Sequence, residues 1–380
     1  MKRILVWLSG WVDSAVVAYL LMQQGFDVTA WFMINYITDD DSCTTKADLA
    51  VAKEVAEFLG IKLHTFDFQQ EYHDRIVKYI VESYRDGLTP NPDVMCNSEV
   101  KFKLFLEEWI ALGFDAVATG HYARVVSTPS FWAEWNGSEE SPKWQTYQLL
   151  KWIDPNKDQS YFLSWLDQEQ LSKAIFPLWW MLKSDVREIA QQAKLPNALR
   201  KDSQWICFIG KVPMKQFLEQ YIPKKKWNII DTTGKVLGEH DWAWWYTIGQ
   251  RKGLWVAAPE PLFVIAKDVI NNTITVWYEK DAELYSHDIN VKNRHWIWKQ
   301  YQLPFSGHAK IRYRQMDQEM TLSHSPVIAS EAKQSTQWQN DWMTEWQLIA
   351  QFTEPQRAVA SGQIVVVYDG DVVVGSWMIV

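Results

Sequence analysis

The stretch Val6-Trp7-Leu8-Ser9-Gly10-Trp11-Val12-Asp13-Ser14-Ala15 decides how the chain is read. An apolar run over Arg3–Leu8 predicts a strand. Ala15–Gln24 has a helical pattern, and Gly25 follows it in the manner of a C-terminal cap. The stretch is therefore a strand-to-helix turn. Successive backbone N–H groups in such a turn, together with a helix N-terminus, hold a phosphate group well. Ser9 and Ser14 can add hydroxyl hydrogen bonds, and Asp13 can hold a magnesium ion carried by the phosphates. Neither common glycine-rich phosphate pattern is present. A plain turn, with Ser and Asp as helix caps, explains the same residues equally well.

The rhythm continues beyond the turn. Asp27–Met33 and Lys62–Phe68 read as strands, Lys46–Leu59 as a helix closed by Gly60, and Glu71–Asp86 as a second amphipathic helix. Ala116–Thr119 is a fourth strand, ending at Gly120-His121. Alternating strands and helices predict an α/β, doubly wound parallel sheet. Ligands gather at the carboxyl ends of such strands, where the opening turn, Met33 and Gly120 all fall. Residues 127–145 read as a surface insertion. Beyond about residue 210, short β-rich runs separated by Gly, Asn, Asp and Pro turns predict two small mainly-β domains, the last barrel-like. Residues 323–343 read as a polar insertion in it. The expected domains are 1–210, 211–285 and 286–380.

Composition limits the function. A net charge of −8 excludes a uniformly basic nucleic-acid coat but allows a local basic face. Basic clusters stand at Arg200-Lys201, Lys224–Lys226, Arg251-Lys252 and Lys310–Arg314. Three cysteines, Cys43, Cys96 and Cys207, are too scattered for a disulfide framework, and no paired spacing suggests a metal site. A reducing cytoplasm is the expected compartment. The N-terminal Lys-Arg and apolar run mimic a signal peptide, but Asp13 interrupts the run. No apolar stretch is long enough to span a membrane.

Two further constellations involve thiols. In Thr89-Pro90-Asn91-Pro92-Asp93-Val94-Met95-Cys96-Asn97 the two prolines push their preceding residues out of helix, and a helical pattern starts at Asn97. Cys96 is thus expected at a helix N-terminus, where the dipole favours a thiolate, with Asp93 in reach. A buried Cys beside a capping Asp is the structural alternative. In Lys201-Asp202-Ser203-Gln204-Trp205-Ile206-Cys207-Phe208-Ile209-Gly210 a thiol follows a polar, charged stretch that reads as a mobile loop. Cys207 is alternatively an apolar residue in a strand.

With one glycine replaced, Ser9–Ser14 resembles the signature of the PP-loop ATP pyrophosphatases. Four more motifs stand in order: Ala118–Arg124, Asn156–Leu163, Gly238–Leu254 and Ile311–Gln315. Taken with the three above, they closely resemble the bacterial tRNA-specific 2-thiouridylases, the MnmA/TrmU family, over nearly the whole chain. The resemblance implies a tRNA sulfurtransferase that adenylates the wobble uridine 34 at C2. ATP with Mg²⁺ is expected at Trp7, Leu8, Ser9, Gly10, Trp11, Val12, Asp13 and Ser14, with Met33 and Gly120 on the adenosine side. It implies a persulfide on Cys207, attack by Cys96, a transient Cys96–Cys207 disulfide, and an acid–base role for Asp93. It assigns tRNA contacts to Asn91, Pro92, Asp93, His121, Lys157, Asp158, Gln159, Arg312, Tyr313 and Gln363. The implied partners are the tRNAs for Lys, Glu and Gln, and a sulfur-relay protein or cysteine desulfurase.

One departure is systematic. The family pattern has glycine where this chain has Trp7, Trp11, Trp31, Trp152, Trp165, Trp179, Trp180, Trp205, Trp227, Trp242, Trp255 and Trp377. The chain holds 24 Trp and only 16 Gly, about 4% of its residues against a usual share of roughly 7%. Glycine at those positions would restore the usual share. A gene that uses UGA for glycine, translated with UGA as tryptophan, gives this pattern. If the indoles are genuine, Trp11 obstructs the phosphate turn, and a catalytically impaired tRNA-binding protein becomes the rival reading. Another PP-loop enzyme, an amidotransferase-linked synthetase, has no need of the two cysteines.

Overall fold

The computed structural model describes residues 2–37, 44–104, 108, 112–129, 145–201, 214–325 and 348–380. Cys43, Trp205, Cys207 and most of both expected insertions lie outside the described residues. The chain divides into two compact units. Met1–Val81, Pro92–Tyr221 and Asp371–Val373 form the first; Glu82–Asn91, Ile222–Gly370 and Val374–Val380 form the second.

The first unit is built on a parallel sheet. Its strands are β1 (Arg3–Trp7), β2 (Asp27–Ile34), β3 (Leu63–Asp67), β4 (Ala116–Ala118) and β7 (Ala174–Ile175), in the order β3-β2-β1-β4-β7. Ile4, Leu5 and Val6 are fully buried, as an apolar strand covered on both faces requires. Helix α1 (Val12–Gln23) returns from β1 to β2, and α2 (Thr45–Leu59) returns from β2 to β3. Both stop where the sequence predicts: Gly25 and Gly60 follow them at φ +81° and +68°, a region glycine enters without a Cβ clash. The core beside the sheet is formed by Val12, Ala15, Val16, Ala18 and Leu21 of α1 with Ala52, Val55 and Ala56 of α2.

The strand order fixes the position of the site. The chain lays β2 and β3 on one side of β1, then returns to the other side with β4. The carboxyl ends of β1 and β4 thus flank the point where the order reverses, and a crevice opens there in folds of this class. The opening turn leaves β1 at this point, and Gly120-His121 leaves β4.

Three local features differ from expectation. Residues 69–85 are helical, but with a π turn at His73–Val77. The helix expected from Asn97 begins at Pro92 and continues as a π helix over Cys96–Leu104. Proline suits the first position of a helix, because the N–H it lacks has no partner there. Cys96 therefore lies one turn inside the helix and not at its start. Third, the borders of the insertion expected at 127–145 are strand. Antiparallel β5 (Arg124–Pro129) and β6 (Gln145–Leu150) pair as far as Pro129 opposite Gln145.

The second unit is mainly β. One sheet has the order β10-β11-β8-β9, from β8 (Trp227–Ile230), β9 (Val236–His240), β10 (Leu262–Asp268) and β11 (Thr273–Tyr278). The other strands are β12 (Tyr285–Trp296), β13 (Phe305–Lys310), β14 (Gln318–His324), β15 (Leu348–Arg357), β16 (Ile364–Asp369) and β17 (Val372–Ile379). They run β12-β15-β14-β13-β16-β17, and β17 pairs back onto β12 to close a six-stranded barrel. Alternate residues fill it: Ile289 and Val291, Met320 and Leu322, Val365 and Val367.

Candidate active site

Gly10 sits at φ +81°, and a Cβ there would stand 2.5 Å from the Asp48 carbonyl oxygen, so only glycine fits. Residue 11 is the N-cap of α1, at φ −89° and ψ 158°, with no side-chain cap. The left-handed turn of this loop thus lies at Gly10; residue 11 has an ordinary extended backbone. Ser14 closes the loop from inside the helix. Its Oγ donates to the residue 11 carbonyl at 2.9 Å and accepts from the Ser9 N–H at 3.2 Å. The first N–H groups of α1 have no carbonyl in their own helix to bind, and they form an anion seat.

Gly120 brings β4 against this seat. A Cβ on it would lie 3.0 Å from both the Asp13 Cβ and the Ser14 nitrogen. Asp13 accepts from the Tyr122 hydroxyl at 2.7 Å and forms an ion pair with Lys183. Asn197 and Arg200 each donate to the Gly10 carbonyl at 3.0 Å, and Arg200 also pairs with Asp48. Tyr122 stands inside a motif legible in the sequence. No local spacing marks Lys183, Asp48 or Asn197, and Arg200, legible only as half of a basic cluster, meets the loop instead.

The side expected to take adenosine holds indoles. Trp7 lies opposite Trp31 in the β1–β2 register, and their rings stack at 6.0 Å. Met33, two residues on, shares the face of Trp31. Trp31 and Met33 are buried, and the Lys101 ammonium sits over the Trp7 ring at 4.5 Å. Arg200 lies over the Trp11 ring at 3.9 Å. The turn therefore has the form of an anion cradle, while aromatic rings fill the face where an adenosine is expected. Among the described positions of the twelve tryptophans, only Trp255 has a left-handed backbone, φ +53°, and the residue is 96% exposed.

Cys96 is buried at 1% exposure, and the neighbouring Asn97 donates to the Phe162 carbonyl at 3.1 Å. Asp93 is half-buried one turn earlier on the same helix. Cys207 lies outside the described residues. No cluster of three or more potential metal ligands occurs among the described residues.

The residues assigned to tRNA have varied surroundings. His121 is buried among Trp7, Phe102 and Phe176, and shares a hydrogen bond with Thr119 Oγ1 at 2.7 Å. Burial, and secondarily the charge of Lys101, hold its pKa well below the usual histidine value. Asp158 is buried and accepts from the N–H groups of Trp152 and Ser160; Gln159 accepts from the Tyr122 N–H at 2.9 Å. Lys157 is half-buried. In the second unit, Gln363 donates to the carbonyls of Thr89 at 2.8 Å and Pro90 at 3.2 Å, just before Asn91 and Pro92. Arg312 donates to the Arg357 carbonyl at 2.8 Å, and Tyr313 is half-buried. Of the basic clusters, Lys224–Lys226 and Arg251-Lys252 are exposed. Lys310 is buried against Asp317, and Arg200 faces the loop.

No described helix is long and apolar enough to cross a membrane. Three family profiles cover the chain: a tRNA methyl transferase HUP domain at residues 2–211, a tRNA methyl transferase PRC-barrel domain at 215–277, and an aminomethyltransferase beta-barrel domain at 286–379. The tRNA-specific 2-thiouridylase MnmA of Paraburkholderia phytofirmans is 42% identical over 387 residues, covering 100% of this chain and 94% of its own. That of Halalkalibacterium halodurans is 42% identical over 378 residues, 98% of this chain and 93% of its own. That of Enterococcus faecalis is 41% identical over 385 residues, 99% and 95% of the two chains. With likeness at this level from end to end, the chain belongs to the tRNA-specific 2-thiouridylase family.

Proposed function

We propose that this protein is a tRNA uridine 2-sulfurtransferase acting on wobble uridine 34. The observation that carries the reading is the full-length likeness to 2-thiouridylases. The family profiles are described as methyl transferases. Sulfur transfer is the better reading, because a methyl transfer gives no role to the two motif cysteines.

ATP is the activating substrate. The N–H groups at the start of α1 and the cradle between Gly10 and Gly120 suit its phosphates. Mg²⁺ carried by those phosphates needs only one or two protein carboxylates, which Asp13 satisfies, and it supplies neutralising charge when bound. The uridine O2 attacks the α-phosphorus, the α–β bridge breaks, and pyrophosphate leaves. The Cys96 thiolate attacks Sγ of a Cys207 persulfide, forming a Cys96–Cys207 disulfide and releasing hydrosulfide. Hydrosulfide adds at C2 and AMP leaves with the original O2. A reductant of the thiol class restores both cysteines. Asp93 takes or gives the proton.

The uridine leaves its stack to react, held by Asn91, Pro92 and Asp93. Lys157 and Arg312 suit phosphates, Tyr313 suits stacking on an unpaired base, and His121, Asp158, Gln159 and Gln363 complete the tRNA-facing set. Residues 1–210 form the catalytic domain, 211–285 a central β domain, and 286–380 the tRNA-binding barrel. The tRNAs for Lys, Glu and Gln are the substrates, a sulfur-relay protein or cysteine desulfurase loads Cys207, and the cytoplasm is the compartment.

We also infer that glycine stands at positions 7, 11 and 31 of the working enzyme, inserted at UGA codons. The stacked indoles on the adenosine side and the left-handed Trp255 support this. For the chain as written, the same indoles favour tRNA binding without turnover. Codons 7, 11, 205 and 296 decide: UGA at the first three and UGG at Trp296 is expected, while UGG at 11 favours the impaired protein. The activity itself is tested on the protein carrying its native residues at 7, 11 and 31, with tRNA, ATP and a persulfide donor. One AMP and one pyrophosphate per 2-thiouridine are expected; a methylated uridine, or binding without product, overturns the assignment.

A further inference from the structure

We propose that Arg200 and Asn197 are positioning residues for catalysis: they orient the 10–11 peptide of the phosphate loop and polarise its N–H toward the nucleotide. The inference rests on ATP being the substrate of this loop. The 10–11 peptide is trans, so its C=O and N–H point in opposite directions. Its carbonyl accepts two hydrogen bonds, from Asn197 Nδ2 and Arg200 Nη1, each at 3.0 Å. Its N–H must then face away from that pair. Among the described residues nothing accepts from this N–H, nor from the next two in the chain. One donor is thus fixed in direction before any ligand arrives, and a cation on the carbonyl end strengthens it through the peptide's own polarity.

The two donors are themselves held. Arg200 pairs through its other nitrogen with Asp48 on α2, and Arg187 donates to the carbonyls of Ala198, at 3.2 Å, and Arg200. The Asn197 carbonyl accepts from the Arg200 N–H at 2.9 Å, closing a tight turn that sets the two side chains side by side. Asn197 is 5% exposed and the Arg200 side chain 23%. Neither has a place in the reaction, and both act through one carbonyl. The Gly10 conformation is required by the same contact. At φ +81°, with the Asp48 carbonyl 2.5 Å from any Cβ, the loop passes close enough to α2 for Arg200 to bind both.

The test uses the full chain carrying at positions 7, 11 and 31 the residues found by mass analysis of the native peptides. Arg200→Met, Arg200→Lys and Asn197→Leu are compared for tRNA-dependent pyrophosphate release. Arg200→Met is expected to raise KM for ATP about tenfold, the scale of one charge-assisted hydrogen bond, with KM for tRNA unchanged. Arg200→Lys is expected to recover part of that loss, and Asn197→Leu to raise KM for ATP about threefold. A merely structural role would move both KM values together and would not be rescued by Lys. ATP KM values within twofold of the parent in Arg200→Met and Asn197→Leu overturn the proposal; if Arg200→Met does not fold, Asn197→Leu decides alone. A parent with no ATP-dependent release overturns the ATP reading instead, so the two failures are distinct.

Discussion

In the proposed mechanism the sulfur step turns on Cys96, which is buried one turn inside a helix. In Cys96→Ser, 2-thiouridine formation should fall on the order of a thousandfold, while tRNA-dependent pyrophosphate release persists, because activation precedes sulfur transfer. Nucleoside analysis beside a pyrophosphate assay separates the steps; equal loss of both would remove Cys96 from the sulfur step. His121 has a different signature. Its pKa is depressed by burial, so below the unfolded value near 6.5 the unfolded chain takes up a proton that the native state refuses. Its contribution is complete above that pH, and stability falls as pH drops below it. His121→Phe should flatten this acid-side slope, read as the change in urea midpoint between about pH 7.5 and 5.5. His240, also depressed by burial, leaves a residual slope.

At the scale of elements, the close approach of β4 to α1 is the most exposed to test. In Gly120→Ala a Cβ would meet backbone of Asp13 and Ser14 at about 3 Å, so the strand end or the helix start must move. A loss of about 1–3 kcal/mol in unfolding free energy is expected, with a higher KM for ATP. An unchanged KM would place the nucleotide elsewhere. The strands and helices around this junction were legible because buried parallel strands are continuous apolar runs and their helices end at glycine. The helix bearing Cys96 starts earlier than its apolar pattern predicts, because Pro92 opens it: a first-turn proline is a start signal as well as a barrier to the residue before it. Lys183, Asn197 and Arg200 make loop contacts that are illegible in the sequence for another reason. Each meets the loop from at least 170 positions away, and no local period encodes such a meeting.

For the whole molecule, the net charge of −8 and the RNA substrate make opposite demands. Binding should depend on the exposed bases, Lys224–Lys226 and Arg251-Lys252, and on half-buried Lys157. Affinity for tRNA should fall steeply with salt, and Lys157→Ala should reduce the log–log slope by about 0.7–0.9, the yield of one phosphate contact. A slope unchanged by the substitution would remove Lys157 from the RNA-facing set. The α/β and barrel architectures were both readable from the change of texture near residue 210, but closure of the barrel was not. It depends on β17 pairing with β12, whose first residue lies 87 positions earlier than that of β17.

That pairing has a consequence during synthesis. The strand that seals the barrel leaves the ribosome after the other five, and Trp377, one of the twelve anomalous positions, lies within it. A nascent chain halted there presents β12 and β16 as ragged open edges, ready to template other strands. A host that reads UGA as termination would halt at codon 7 and never reach this strand; in a chain translated that far, loss of the last strand would cost solubility and not merely a few residues.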